Sequence, residues 1–236
     1  MIMRPLTIAL ICLLAATAGA QTNNPAPIPI ELFKGGPLFN GRNLDGLQVY
    51  LEDPAVDPAK IWKVEDGILR CSGATRGYVR TRMAYADYKL TVEWRWPGGK
   101  GNSGILLHII NQDQVWPKCI EAQLATGRAG DLAFFHDSRS KEELVSRNPK
   151  GLSTGRLARP GESAEKPLGE WNTFEITAAG DTLTLTVNGV KVNHITGVVP
   201  AAGMIALQSE GAPIDFRNFT LTPLPLAKDI NAPMPK

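Results

Sequence analysis

The sequence predicts an all-β fold, an antiparallel two-sheet β-sandwich of jelly-roll type. Three observations predict it. Ten or so short runs alternate apolar and polar residues between turn signals, and helix-length amphipathic stretches are nearly absent. Two of the turns, Asp66-Gly67 and Asn188-Gly189, are hairpin dipeptides whose glycine meets the left-handed backbone requirement of a two-residue turn.

The chain opens with Arg4, an apolar run from Leu6 to Ala16, and small residues at Ala18 and Ala20. This is the layout of a secretory signal peptide, and the run is too short for a membrane span. The expected division is therefore a signal peptide over 1–20, a flexible segment over 21–36, a folded domain over 37–226 and a tail over 227–236. Export places the protein in the periplasm or outside the cell. Cys12 leaves with the leader, and Cys71 and Cys119 remain either as one disulfide or as small buried hydrophobes. The formal charge of +2 falls close to neutral without Arg4, and the remaining basic residues are scattered. Nucleic acid and anionic membranes are thus disfavoured as partners, and a neutral ligand is favoured.

Within the domain the expected strands follow in order. Trp62–Val64 and Ile68–Cys71 form the first hairpin, and Gly77–Arg82 is a short run. Tyr88–Trp96 sets Leu90, Val92, Trp94 and Trp96 against Thr91, Glu93 and Arg95. A central pair lies within Gly101–Leu124, and the Gly-, Arg- and Ser-rich stretch from Ala125 to Lys166 reads mostly as long loops, which in compact domains commonly serve ligand sites. Phe174–Thr177, Leu183–Val187 and Val190–His194 form a meander, and Gly203–Gln208 and Ile214–Leu221 complete the set, with an N-terminal strand expected beside a C-terminal one. Trp62, Trp94, Trp96, Trp171, Phe174 and Phe216 supply the expected bulk between the sheets; each buried aromatic contributes several kcal/mol at about 25 cal/mol per Å².

The functional signal lies in GNSGILLHIINQDQVWPKCIEAQL at Gly101–Leu124. Side chains of a strand alternate between faces, so simple parity puts His108 on one strand, and Glu121 and Gln123 on the next, into one space. The same parity adds Arg80, Glu93, Arg95 and Gln208, giving a groove of charges and amides suited to hydroxyl-rich ligands. A divalent metal (Ca, Mn or Zn, not distinguishable) would draw on His108 and Glu121, with Asp131 or His136. Ordinary retaining hydrolysis needs two carboxylates on one strand face, and Glu121–Ala125 offers one.

Several motifs resemble a known family. LFNGRNLDGL (Leu38–Leu47), WKVEDGILRC (Trp62–Cys71), GNSGILLHI (Gly101–Ile109), WPKCIEAQL (Trp116–Leu124), GEWNTFEI (Gly169–Ile176) and GMIALQSEGAPIDFRNFTLTPL (Gly203–Leu224) are similar to the 3-keto-disaccharide hydrolase domain. The resemblance implies a concanavalin A-like jelly roll that cleaves glycosides oxidised at sugar carbon 3 by lyase and hydratase steps. A base removes the carbon-2 proton, the carbon-1 substituent leaves, and water adds. The candidate residues are then Glu121 and His108 as acid/base pair, with Asp131 a third. Asn102, Lys118, Gln123, Gln208 and Arg80 are candidates for substrate contacts, and Trp116 for stacking on a sugar face. His108 stands where many similar sequences carry Arg. The expected partner is an oxidised (3-keto) glycoside or disaccharide, supplied by an upstream sugar 3-dehydrogenase. The rival reading is a non-catalytic, lectin-like carbohydrate-binding module.

Overall fold

In the computed structural model, residues 34–110, 113–146 and 155–225 are described. The expected signal peptide, most of the flexible segment and the tail lie outside them. Among the described residues no helix is long and apolar enough to cross a membrane.

The strands are β1 (Gly36–Pro37), β2 (Leu47–Leu51), β3 (Trp62–Glu65), β4 (Ile68–Cys71), β5 (Gly77–Thr81), β6 (Tyr88–Arg95), β7 (Gly104–Ile109), β8 (Ile120–Gln123), β9 (Leu132–Phe134), β10 (Arg156–Leu157), β11 (Asn172–Ala179), β12 (Thr182–Val187), β13 (Val190–Ile195), β14 (Met204–Ser209) and β15 (Ile214–Pro223). All described pairings are antiparallel and form two sheets. One runs β13-β12-β11-β6-β15-β4-β3, with β1 also paired to β15; the other runs β10-β9-β8-β7-β14-β5-β2. The molecule is therefore an all-β sandwich, and its N-terminal strand does lie beside a C-terminal one.

Local chemistry accounts for the joints. Asp66 and Gly67 both take positive φ (54° and 75°), as do Asn188 and Gly189 (49° and 83°), so both predicted hairpins turn as their residues demand. Inward-facing Leu90, Val92 and Trp94 of β6, Phe174 and Ile176 of β11, Leu183 and Leu185 of β12, and Phe216 of β15 meet Val79, Ile105, Leu107, Ile120, Ala122 and Leu207 of the other sheet in one core. Trp62, Trp96 and Cys71 join it.

Trp171 does not. Asn172 is the first inward residue of β11, so Trp171 falls on the outer face, where the guanidinium groups of Arg95 and Arg217 lie 4.7 and 4.1 Å from its ring. The same face carries Glu93 and Arg95, paired with Arg217 (2.5 Å) and Asp215 (2.8 Å). These two alternate with core residues as expected, but they belong to the eight-stranded sheet. They are salt-bridged on its outer surface and do not line a groove with Glu121. Cys71 and Cys119 are both free and buried, one inside the core and the other in a separate apolar cluster.

The stretch Ala125–Lys166 holds more structure than its composition suggests. Besides β9 and β10 it contains helix α1 (Lys141–Ser146), whose start is capped by the Ser140 hydroxyl accepting from the Glu143 N–H at 3.0 Å. Glu142 then accepts from the N–H and hydroxyl of Thr196 and ties the helix to the end of β13. Six residues are too few for a hydrophobic period to show.

Candidate functional site

The face of the seven-stranded sheet turned away from the core carries two cross-strand rows. Register sets Gln48, Arg80, Ala206, Leu106, Glu121 and Ala133 along one of them. The neighbouring row runs Tyr50, Tyr78, Gln208, then Gly104 and Gln123. Glu121, Gln123, Gln208 and Arg80 therefore do share a face, as parity predicts.

His108 leaves that face. Leu106 pairs with Ala206 and Ile109 with Met204, so two residues of β7 oppose the single Ile205 and the ladder bulges. His108 is the bulged residue, at φ 58°, and beyond it the parity of β7 inverts. Gly203 makes room: a side-chain carbon there would stand 2.6 Å from the His108 Cα. The imidazole turns between the sheets, where Nδ1 lies 2.8 Å from the Pro200 carbonyl and Nε2 lies 2.9 Å from the Tyr88 hydroxyl. A carbonyl can only accept, so Nδ1 carries the hydrogen and Nε2 accepts from Tyr88. Burial lowers the His108 pKa to about 4, against smaller opposing effects of the Pro200 hydrogen bond and Asp87. A neutral, doubly bonded imidazole inside the core cannot pair with Glu121 for proton transfer, nor share an ion with it. That acid/base and metal assignment is corrected. Among the described residues no group of three or more His, Cys, Asp or Glu converges as metal ligands.

Glu121 is the chemical centre of what remains. It is 3% exposed and its Oε1 has no hydrogen-bond partner. The carboxyl leans over Gly104, where a side-chain carbon would stand 2.6 Å from Cγ and 2.7 Å from Cδ. Burial first, and then the Glu210 charge, raise its pKa to about 8 against the smaller opposing effects of Arg156 and Arg128. In the neighbouring row, opposite Gly104, is Gln208, 1% exposed, with both its amide nitrogen and its oxygen unpartnered. Buried polar atoms are rarely left so, because each costs about 1–3 kcal/mol. An acid and a carboxamide orphaned side by side across a glycine gap form a place prepared for a polar ligand.

Other candidates are already engaged. Gln123 Oε1 accepts from the N–H groups of Leu124 and Ala125, which closes the end of β8. Asp131 spends Oδ2 on Arg128 (2.9 Å) and Oδ1 on the Arg159 N–H (3.0 Å), with the Arg159 guanidinium 3.6 Å away. It holds the β8–β9 connection and is not disposed as an acid/base residue. Arg80 grips Asp113 through two hydrogen bonds of 2.7 and 2.8 Å, and Tyr78 donates to the same carboxylate at 2.8 Å. Burial works to raise the Asp113 pKa, but those bonds outweigh it and the net shift is downward.

Asp113 thus pins the β7–β8 connection across the sheet face. Further along that connection Trp116 stacks on Phe135 at 5.4 Å, nearly parallel, and Lys118 reaches to 3.8 Å from Asp137. Beneath lie Tyr78, Leu106, Ile109, Cys119, Met204 and Ala206, a second apolar cluster. One half of the face is sealed in this way, and the half around Glu121 and Gln208 is polar.

Two residues on this face escaped the sequence reading. Tyr78 stands two residues before Arg80 on the expected strand Gly77–Arg82, so the parity that selected Arg80 would have selected it too. Glu210 follows β14 and bridges Asn102, whose Nδ2 donates to Glu210 Oε2 at 2.6 Å. Its signal was its spacing of two from Gln208, the same parity rule applied two residues past the expected strand end.

Comparison with known proteins places these features. No curated protein sequence matches the chain. Among solved structures, a protein of Parabacteroides distasonis ATCC 8503 that carries the provisional name glycosyl hydrolase is 18% identical, with a TM-score of 0.60 over 86% of this chain and 100% of its own. A second from the same source is 22% identical, with a TM-score of 0.58 over 81% and 100%. The β-glucanase of Bacillus licheniformis is 12% identical, with a TM-score of 0.54 over 80% and 97%. At these identities the likeness is one of fold, a concanavalin A-like jelly roll. The sequence match is more specific: over residues 35–222 the chain belongs to the family of 3-keto-alpha-glucoside-1,2-lyase-like domains, a carbohydrate-active family.

Proposed function

We propose that this chain is an exported enzyme that cleaves 3-keto-glycosides by removal of the carbon-2 proton, elimination of the carbon-1 substituent and hydration of the enone. One observation carries the reading: the buried Glu121 carboxyl, raised to about 8 and open at Oε1, beside the unpartnered Gln208 carboxamide. A ketone at carbon 3 acidifies the neighbouring C–H, so one proton-transfer residue of near-neutral pKa and one neutral donor suit this substrate. Gln208 can donate to the enolate oxygen or a sugar hydroxyl, and Glu121, whose proton is held by burial, serves as the acid. An oxidation that makes the 3-keto glycoside must precede the reaction, which is the place of a sugar 3-dehydrogenase.

The test is to incubate the purified protein with a 3-keto glucoside and with its unoxidised parent, before and after EDTA, and follow aglycone release. Release from the keto sugar alone is the expected result. Loss with EDTA would bring a metal into the reaction. Release from neither, with binding intact, would replace the enzyme by a carbohydrate-binding module.

A further inference from the structure

On the reading above, we propose that Glu210 is the second proton-transfer residue, taking the carbon-2 proton while Glu121 serves the leaving group. Sequence parity on β8 alone offers one carboxylate, but the sheet supplies another. Ile105 pairs with Leu207 and Asn102 with Glu210, which sets Gly104 opposite Gln208 and diagonal to Glu210. Diagonal neighbours across antiparallel strands stand about 7–8 Å apart. The Glu121 carboxyl occupies the space over Gly104, so both acids border Gln208, and they are close enough for the Glu210 charge to act on Glu121.

Their surroundings separate their protonation states. The groups facing the pair are Arg76 ahead of β5, Arg128 in the β8–β9 turn and Arg156 on β10. Arg76 is shared with Glu52. Burial raises both carboxyls, but Glu210 is only half-buried, has the Asn102 amide on one oxygen, and is drawn down by Arg76 and Arg156. Glu121 has no partner on Oε1 and feels Glu210 as a like charge. Glu121 is therefore the harder of the two to ionise and Glu210 the easier, the division an acid and a base require.

The step then balances. Glu210 takes the proton from carbon 2, and the electron pair enters the enolate. Collapse of the enolate restores the ketone, forms the carbon-1 to carbon-2 double bond and breaks the carbon-1 to oxygen bond, while Glu121 gives its proton to the departing oxygen. In hydration water attacks carbon 1 and yields a proton to Glu121, and Glu210 returns its proton to carbon 2. The sum is 3-keto glycoside plus water giving free 3-keto sugar plus aglycone, with both carboxyls restored.

The experiment compares nitrophenyl and methyl 3-keto-glucosides with the full-length protein, Glu210→Gln, Glu210→Asp and Glu121→Gln, with thermal melts to establish folding. Glu210→Gln should lower kcat/KM by at least about 100-fold on both substrates alike, with Glu210→Asp recovering part of the loss. Glu121→Gln should be hit far harder on the methyl glycoside, because nitrophenolate departs without an acid. A folded Glu210→Gln variant within threefold of the unmodified protein on both substrates overturns the role of Glu210 and leaves the proposed reaction standing. A loss in Glu210→Gln confined to the methyl glycoside overturns its assignment as base. Failure of the unmodified protein on both substrates overturns the reaction itself and this assignment with it.

Discussion

The Glu121 carboxyl lies in the space that a side chain at Gly104 would fill. Gly104 is the last glycine of the GNSG turn into β7, and its backbone is not in the left-handed region, so steric room alone explains the residue. Gly104→Ala should keep the fold while driving the acid out of its niche. The expected cost is about 1–3 kcal/mol of stability from overpacking. A fall in kcat/KM of roughly 100-fold, with KM changed less than kcat, would follow from the lost geometry. Urea unfolding and steady-state kinetics on one preparation separate the two, and a variant of unchanged activity would remove Glu121 from the chemistry.

Stability should record the protonation of Glu121. Its pKa rises from an ordinary 4.5 unfolded to about 8 folded, so between these values the native state holds the extra proton and stability falls as pH rises. The slope is about 1.4 kcal/mol per pH unit for one proton. Glu121→Gln should match the unmodified protein near pH 4.5 and become progressively more stable than it toward pH 8. Urea midpoints across this range test the point, and parallel curves for the two proteins would mean that the carboxyl is not held neutral. In the proposed reaction Glu121 acts as an acid, so kcat/KM should also decline above about pH 8.

Much of this was legible in the chain. Alternation and two glycine hairpins were enough for the sandwich, because a strand with one buried face must alternate. The same rule put Glu121, Gln123, Gln208 and Arg80 on one face. It failed at His108 for a local reason: a bulge inserts one residue, and every side chain after it changes face. Nothing in GILLHII marks the register shift, which depends on Gly203 far along the chain. Trp171 was misassigned by one position at a strand start. Glu210 was missed because no alternation continues beyond Ser209 to draw attention to it.

His108 yields the opposite pH signature to Glu121. Its pKa falls from 6.5 unfolded to about 4 folded, so below pH 6.5 the unfolded chain gains a proton that the native state refuses. Stability is full above 6.5 and is lost progressively as pH falls toward 4. His108→Asn should abolish this slope, since Asn tolerates the left-handed backbone at φ 58° and does not titrate. It should be less stable at pH 7, from the lost bonds to Tyr88 and Pro200. Urea unfolding from pH 7 to 4 provides the comparison. An acid limb that persists in the variant would assign the proton elsewhere.

The Arg80–Asp113 pair makes the last case, because it is the clasp by which the β7–β8 connection is held over the apolar half of the site face. Asp113 receives Arg80 twice and Tyr78 once, and its carboxyl is 21% exposed, so these are charge-assisted bonds partly shielded from water. Removing one partner leaves the other charge without its match, which costs more than a surface ion pair. Asp113→Ala should therefore lower stability by about 2 kcal/mol and release the connection around Trp116, whose stacking on Phe135 depends on its path. The local readout is cleavage by a low dose of protease between 110 and 119 under native conditions, which should speed up at least tenfold. Substrate KM should rise more than kcat falls, since the segment borders the Glu121 half of the face without supplying its acid. If protection of the segment is unchanged, the clasp is not what holds it, and the apolar contacts beneath Trp116 suffice.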